Sequence, residues 1–584
     1  MTSPAQTRPR PAAPPPGPAA RARRLEHLLG DPADPGNPHG RRALLDADDR
    51  RATPEATEHL LTHSGLSAEF VPRTLGGRLG RPDALARVLR PVFRRDVALG
   101  FGYGLIALFG ASAVWAAGSR TQRERTAAHL LTAGHGGRIT HLHHELTQAN
   151  AILRDEFTAR PTTDGYRVQG RKDVIINAER AAMFVTYART APEPGARSHS
   201  VLLLERDALP ARALHALPRR PTPGMRGNHF SGLELRACPV PAHALVGQEG
   251  DGVSLALRTF MVNRCLIPAV LVAGVDSALR LAVQAATAAR PGGQPARRHH
   301  TALAGVFADL LACDSMAHTG LRALCLVPDS AHLAAAAVKL TTQDILRENL
   351  EEIATVLGAH GYARDTHYGA FDKLGRDLPV AGLGHAGRAA CQSVLAPRLR
   401  ALARTSWFTA PHPPRHLFAR TAPLPDLDYR TLSLTGGDDV LHAALVTTTD
   451  RLAARSAQGP QWAALAGLAQ AFLTESRILR AECATLPASV RQTLADPRAC
   501  ALVDRYALIA SAAACLAAWE NEADTDSFQA RPAWPVLALA RLLRRLGATG
   551  PAVPDGVVGE VLAELLDRCA AHRSLDLYAS HLAG

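Results

Sequence analysis

From Arg24 to about Gly134, apolar residues recur three and four apart, in ATEHLLTHSGL and in ALARVLRPVF, the spacing of one buried helix face. The apolar run from Gly104 to Gly118, GLIALFGASAVWAAG, reads as a buried helix, too short for a membrane span. After Gly137 the texture changes. GYRVQGRKDVIINA, MFVTYART, SVLLLERD and FSGLELRACPV are short β-rich runs broken by Gly, Pro and Asp, which predicts a small sheet or barrel. From Gly252 to about Arg400 the helical period returns, with room for four helices of bundle length. Beyond a Pro-rich joint, TAPHPPRHLFARTAPLPD, the pattern is helical again, with Trp462, Leu465, Ala469, Phe472 and Leu479 on one face. The expected layout is α+β and mainly α. It comprises a disordered tail (1–24), a helical domain (25–136), a β-domain (137–250), a four-helix bundle (251–402) and a helical extension (403–584).

Composition narrows the function classes. Hydrophobic residues make up 47% and charged residues 20% of 584, the balance of a soluble globular chain. The formal charge of +13 is spread along the chain, often as single arginines on apolar helical stretches, so it does not build a nucleic-acid surface. The same charge attracts an anionic substrate such as a phosphopantetheine thioester. Nine cysteines lie far apart with no CxxC, which points to buried thiols in a reducing compartment. The first residues, rich in Pro, Ala and Arg, form neither signal peptide nor membrane anchor, and a cytoplasmic location is expected.

Specific strings then carry a resemblance. GYRVQGRKDVIINAERAAMFVTYART, TPGMRGNHFSGLELRACPVPAHALVGQEGDG, TVLGAHGYARD and KLGRDLPV stand in the order of matching elements in the acyl-CoA dehydrogenase and acyl-CoA oxidase superfamily, which this chain resembles over about residues 60–400. The extension resembles the C-terminal one of the oxidases in length and helicity. The resemblance implies FAD bound between β-domain and bundle, a neighbouring subunit completing the site in a homodimer, and electron-transfer flavoprotein or oxygen as acceptor. It puts His144, Asn150, Ile176, Arg290, Thr355, Gly358 and Gly361 at cofactor-binding positions, and Arg264 at a contact to the pantetheine arm. Gly358 and Gly361 would let backbone approach a phosphate without a Cβ clash.

The chain also departs from that family. His144 stands where a Thr usually faces the flavin, and Val174, Ile175 and Ile176 replace Trp-Ile-Thr, keeping the floor apolar but losing a hydroxyl. Gly293 and Thr301 replace an aromatic residue and a glutamine. HLHHE invites a zinc reading, yet in a strand His141 and His143 share a face while His144 and Glu145 point to opposite ones, so no metal is expected. The family's catalytic Glu follows an Arg-Asp pair by eight residues; counting from Asp377 places His385 there, and the alternative position, before Arg264, is Asn263. A neutral imidazole is a competent base, so His385 is the candidate to take the α-proton of an acyl thioester. Two other readings stay open: a flavin monooxygenase, which needs no such base, and a non-catalytic descendant.

Overall fold

The computed structural model describes residues 16–132, 137–148, 152–288, 294–383, 387–522 and 524–584. The N-terminal layer holds α1 (Pro18–Leu29), α2 (Arg41–Asp49), α3 (Glu55–His63), α4 (Pro82–Arg95), α5 (Val97–Leu99), α6 (Ile106–Ala117) and α7 (Arg120–Leu131). Helix α1 corrects the expected tail: residues 18–24 are helical. Pro18 sits in the first turn, where its missing N–H costs nothing, Ala22, Leu25 and Leu29 are buried, and Arg21 pairs with Glu69 at 2.8 Å.

The apolar run is also longer than expected. A π-helical turn, Gly100–Leu105, joins α5 to α6 into a continuous helix Val97–Ala117 of 21 residues. By length and composition this helix, like Gly252–Ala288 and Pro497–Glu520, suffices to cross a membrane, but its apolar window is wholly enclosed by protein. Glycine permits the packing: a Cβ on Gly100 would lie 2.5 Å from the Phe93 ring.

Eight strands follow: β1 (Ile139–Leu142), β2 (Thr158–Thr162), β3 (Gly165–Ile176), β4 (Met183–Arg189), β5 (His199–Glu205), β6 (Leu214–Leu217), β7 (Phe230–Pro241) and β8 (Leu245–Val246). They form one sheet in the order β6-β7-β3-β2-β4-β5-β8, with β1 parallel to β4. Its inner face holds a core of its own, including Phe157, Val168, Ile175, Phe184 and Leu202.

The bundle comprises α8 (Gly252–Ala288), α9 (Arg297–Leu326) and α10 (Ala331–Leu357), packed on one another, then the shorter α11 (Gly369–Leu383) and α12 (Arg388–Thr405). Among the described residues the bundle thus holds five helices rather than four. The extension holds α13 (Val440–Ala453), α14 (Pro460–Ala484), α15 (Val490–Ala495), α16 (Pro497–Glu520), α17 (Ala533–Arg545) and α18 (Val557–Ala570). Helix α16 lies on α9 and α10, α17 and α18 lie on α9, and one apolar core runs through the N-terminal layer, bundle and extension.

Candidate active site

Strand alternation builds the first wall. Ile175 points into the core of the sheet, so Val174 and Ile176, on the opposite face, pack against the helical core. Thr140 on β1 donates its hydroxyl to the Ile176 carbonyl at 2.7 Å. The chain then turns sharply at Asn177, whose φ of 61° is in the left-handed region, and its side-chain amide donates to the Gly102 carbonyl at 2.6 Å. Asn177 therefore ties the end of β3 to the π-helical turn.

Three histidines stand beside this wall. His141 and His143 are buried on one face of β1 and its continuation, their rings stacked 5.1 Å apart, against Tyr187 and Phe260. Burial above all, with help from His144 and Lys172, pulls His141 down to about 3, so it is neutral at any ordinary pH. His144 is half-buried, its ring 4.8 Å from that of His143, and its carbonyl accepts the Asp173 N–H at 3.0 Å. Among the described residues no three metal-ligating side chains gather.

Beneath the histidines lies a buried ionic triad. Lys172 donates to Glu145 at 2.8 Å, to Asp155 at 2.7 Å and to the His143 carbonyl at 3.2 Å. Glu145 also accepts the N–H groups of Glu156 (2.8 Å) and Phe157 (3.0 Å), so the triad staples the chain on both sides of residues 149–151. Burial raises Asp155 to about 6 against the opposing pull of Lys172. Lys172 stands in a string that carries the resemblance and Glu145 in HLHHE; Asp155 carried no signal, because its partner comes from across the sheet.

The opposite wall is α8. Asn263 and Arg264 are 2% and 3% exposed, and the Asn263 side-chain oxygen and the Arg264 Nε are buried with no hydrogen-bond partner among the described residues. Pro268 has no N–H to give the Arg264 carbonyl four residues back, so the backbone is under-bonded at the same point. On α11, Lys373 binds Asp377 at 2.6 Å and Asp96 at 3.0 Å, Arg376 binds Asp48 at 2.8 Å, and Asp377 accepts the Met225 N–H. Burial first, opposed by Lys373, raises the Asp377 carboxyl. The Arg-Asp pair is thus a clamp joining three layers.

His144 and Ile176 stand on the side of the sheet that meets the helices, and Arg264 is buried on α8 within electrostatic reach of His332, Lys339 and Cys391. Thr355, Gly358 and Gly361 lie elsewhere, at the end of α10: Thr355 is exposed and donates to the Glu351 carbonyl at 3.2 Å, and Gly358 ends the helix with φ 54°. Asn150, Arg290 and His385 lie outside the described residues. The residues present fit a flavin. Val174 and Ile176 offer an apolar face. A Cβ on Gly358 would meet nothing within 4 Å, leaving its backbone open to a phosphate group.

Comparison with known proteins agrees with this fold. Residues 250–388 match the model of the acyl-CoA dehydrogenase C-terminal domain. Cyclohex-1-ene-1-carbonyl-CoA dehydrogenase of Geobacter metallireducens is 28% identical over 242 residues, 41% of this chain and 62% of that protein. The match thus spans about three fifths of the relative's length. The glutaryl-coenzyme A dehydrogenase complex with glutaryl-CoA superposes with a TM-score of 0.57 at 19% identity, covering 65% of this chain and 94% of the other. A prolyl acyl carrier protein oxidase superposes with a TM-score of 0.55 at 18% identity, covering 65% and 98%. At such identities the two structures speak for the fold.

Proposed function

Because this chain belongs to the acyl-CoA dehydrogenase superfamily, we propose that it is an FAD-dependent dehydrogenase or oxidase. Its reaction introduces an α,β double bond into an acyl thioester carried by coenzyme A or an acyl carrier protein. The observation that carries this reading is the apolar strand-end face of Val174 and Ile176, turned toward the helical layers, with Asn263 and Arg264 under-bonded on α8.

Val174 and Ile176 would support the ring system of the flavin and exclude water from it, and His144 would bind it. The Lys172 triad holds the segment carrying His144 in place, and Asn177 fixes the end of the floor. Arg264 orients the thioester, and His385 takes the α-proton. Gly358, Gly361, Thr355 and Arg290 would meet the phosphates, and Asn150 is a further cofactor-binding residue. When bound, FAD supplies the hydride acceptor for the β-carbon. The electron acceptor would be electron-transfer flavoprotein or oxygen, and the setting a cytoplasmic homodimer serving fatty-acid metabolism.

The test is product analysis. Incubation with acyl thioesters yields a product lighter by two hydrogens, and His385→Gln lowers its rate at least about 100-fold while leaving flavin content unchanged. An undiminished rate in that variant removes His385 from the reaction. Absence of product over a full range of acyl thioesters with flavin bound contradicts the reading.

A further inference from the structure

A cavity opens where the N-terminal layer meets the bundle, between α1, α2, the end of α4, the middle of α8, α11 and residues 582–584. Its volume is about 110 Å³, where a single water needs roughly 10–15 Å³. Val174, Ile176 and Arg264 do not line it, so it is separate from the flavin face. The wall carries five cations, Arg41, Arg94, Arg95, Arg280 and Lys373, against three carboxylates, Glu26, Asp96 and Asp377.

Those carboxylates are already engaged. Lys373 holds Asp96 at 3.0 Å and Asp377 at 2.6 Å, and Arg94 reaches Glu26 at 3.4 Å. Asp276, behind the wall, takes Arg94 at 3.2 Å and Arg280 at 2.8 Å. Two cations are left over. Among the described residues Arg41 and Arg95 form no ion pair, and Arg95 donates only to backbone, to the carbonyls of Gly30 at 2.5 Å and His39 at 3.3 Å. Asp31 acts on both electrostatically without pairing with either, and its side chain accepts the Ala33 N–H at 2.7 Å.

The two are also close enough to repel each other and their neighbours. Burial first, opposed by Glu26 and reinforced by Arg41, pulls Arg95 down to about 10, and burial and then Arg280, against Asp31, hold Arg41 below the usual arginine range. Both still carry a full charge at neutral pH, because a guanidinium gives up its proton only under far stronger pressure. Arg95, Arg41 and Arg280 therefore set three like charges around one cavity, a costly arrangement that an anion between them relieves. More than one cation favours a dianion, and the planar guanidinium fork matches the oxygens of a phosphate.

We infer that this cavity is a binding site for a phosphate group, free or at the end of a small molecule, held by Arg41 and Arg95 with Arg280 beside them. The bound group ties α2, the end of α4 and α8 together, so it stabilises the junction of the N-terminal layer with the bundle. The site stands whether or not the chain oxidises acyl thioesters.

The experiment is calorimetric titration of the full-length chain, first soaked in FAD so that no flavin-phosphate position is open, with inorganic phosphate, glycerol phosphate and acetate. The wild type binds one phosphate per chain, and Arg41→Gln weakens that binding at least about tenfold. Arg41 is the residue to change because it makes no ion pair within the fold, and Arg95→Lys, which keeps the charge and loses the fork, is the second variant. On the unaltered protein the melting temperature climbs with the logarithm of phosphate concentration and does not move with chloride at equal ionic strength. Tighter binding of glycerol phosphate assigns the group to a larger molecule and tighter binding of inorganic phosphate to the free ion; both uphold the site. No binding, binding that is undiminished in both variants, or acetate binding as tightly as phosphate overturns the inference.

Discussion

At the scale of single residues, the site is held by charges the protein cannot lose cheaply. Lys172 neutralises two buried carboxylates, and Lys172→Met leaves both without a cation. The variant loses about 3–5 kcal/mol of stability in chemical denaturation, the usual cost of breaking a buried ion pair on one side. Lys339, buried on α10 and pulled down by that burial, behaves in the opposite sense. Its folded pKa, about 7, lies below the roughly 10.4 of an unfolded lysine, so between those values the unfolded chain binds more protons and stability rises with pH. Lys339→Met removes that slope, and its stabilisation relative to wild type, on the order of a few kcal/mol at pH 6, shrinks toward pH 10. A difference that stays constant across that range contradicts the burial argument. Lys172 and Asn177 stand inside a string that carries the resemblance, and Glu145 inside HLHHE. Asp155 and Lys339 escaped notice because their meaning is in partners gained or missing in three dimensions, and a lone Lys in an alanine-rich helix reads as an ordinary helix residue.

At the scale of elements, the Arg-Asp pair on α11 illustrates how a motif can be legible while its role is not. The spacing singled out Arg376 and Asp377 as a marker from which to count to a base; folded, they clamp α11 to α2 and to the loop before β7 through Asp48 and Met225. That loop has no slack. A Cβ on Gly224 would lie 1.9 Å from the Arg376 carbonyl oxygen, which is backbone and cannot rotate away. Gly224→Ala therefore separates the loop from α11, and hydrogen exchange at the Met225 amide rises at least about 30-fold, a loss of roughly 2 kcal/mol in local opening. Protection that matches wild type would show that the clamp is elsewhere. The π-helical turn was equally hidden. Periodicity announced a helix near residues 104–118, but the extra residue per turn at Gly100–Leu105 follows from tertiary contacts, the Phe93 ring on one side and the Asn177 amide on the other.

At the scale of the whole molecule, the order helix, sheet, bundle and helix was readable because each texture runs for dozens of residues. How the last helices attach was not. Arg541 and Arg545 on α17 both bind Asp309, which is fully buried on α9. The terminal segment returns to the N-terminal layer, where Asp576 pairs with Arg90 at 2.9 Å and Tyr578 lies under the guanidinium of Arg87. The extension is thus part of the same core as the bundle, and a chain ending at Thr405 exposes the apolar faces of α9 and α10 and leaves Asp309 without a cation. Such a chain is insoluble or lacks a cooperative melting transition; a soluble, cooperatively melting fragment contradicts this assignment. The central claim is that the space between sheet and bundle holds a flavin that an acyl thioester reduces. The measurement that reaches it most directly is the visible spectrum of the purified full-length chain after soaking in FAD and desalting, followed by anaerobic addition of acyl thioesters. The account predicts an oxidised-flavin band at about one per chain that bleaches on addition; no band, or a band that no thioester bleaches, contradicts it.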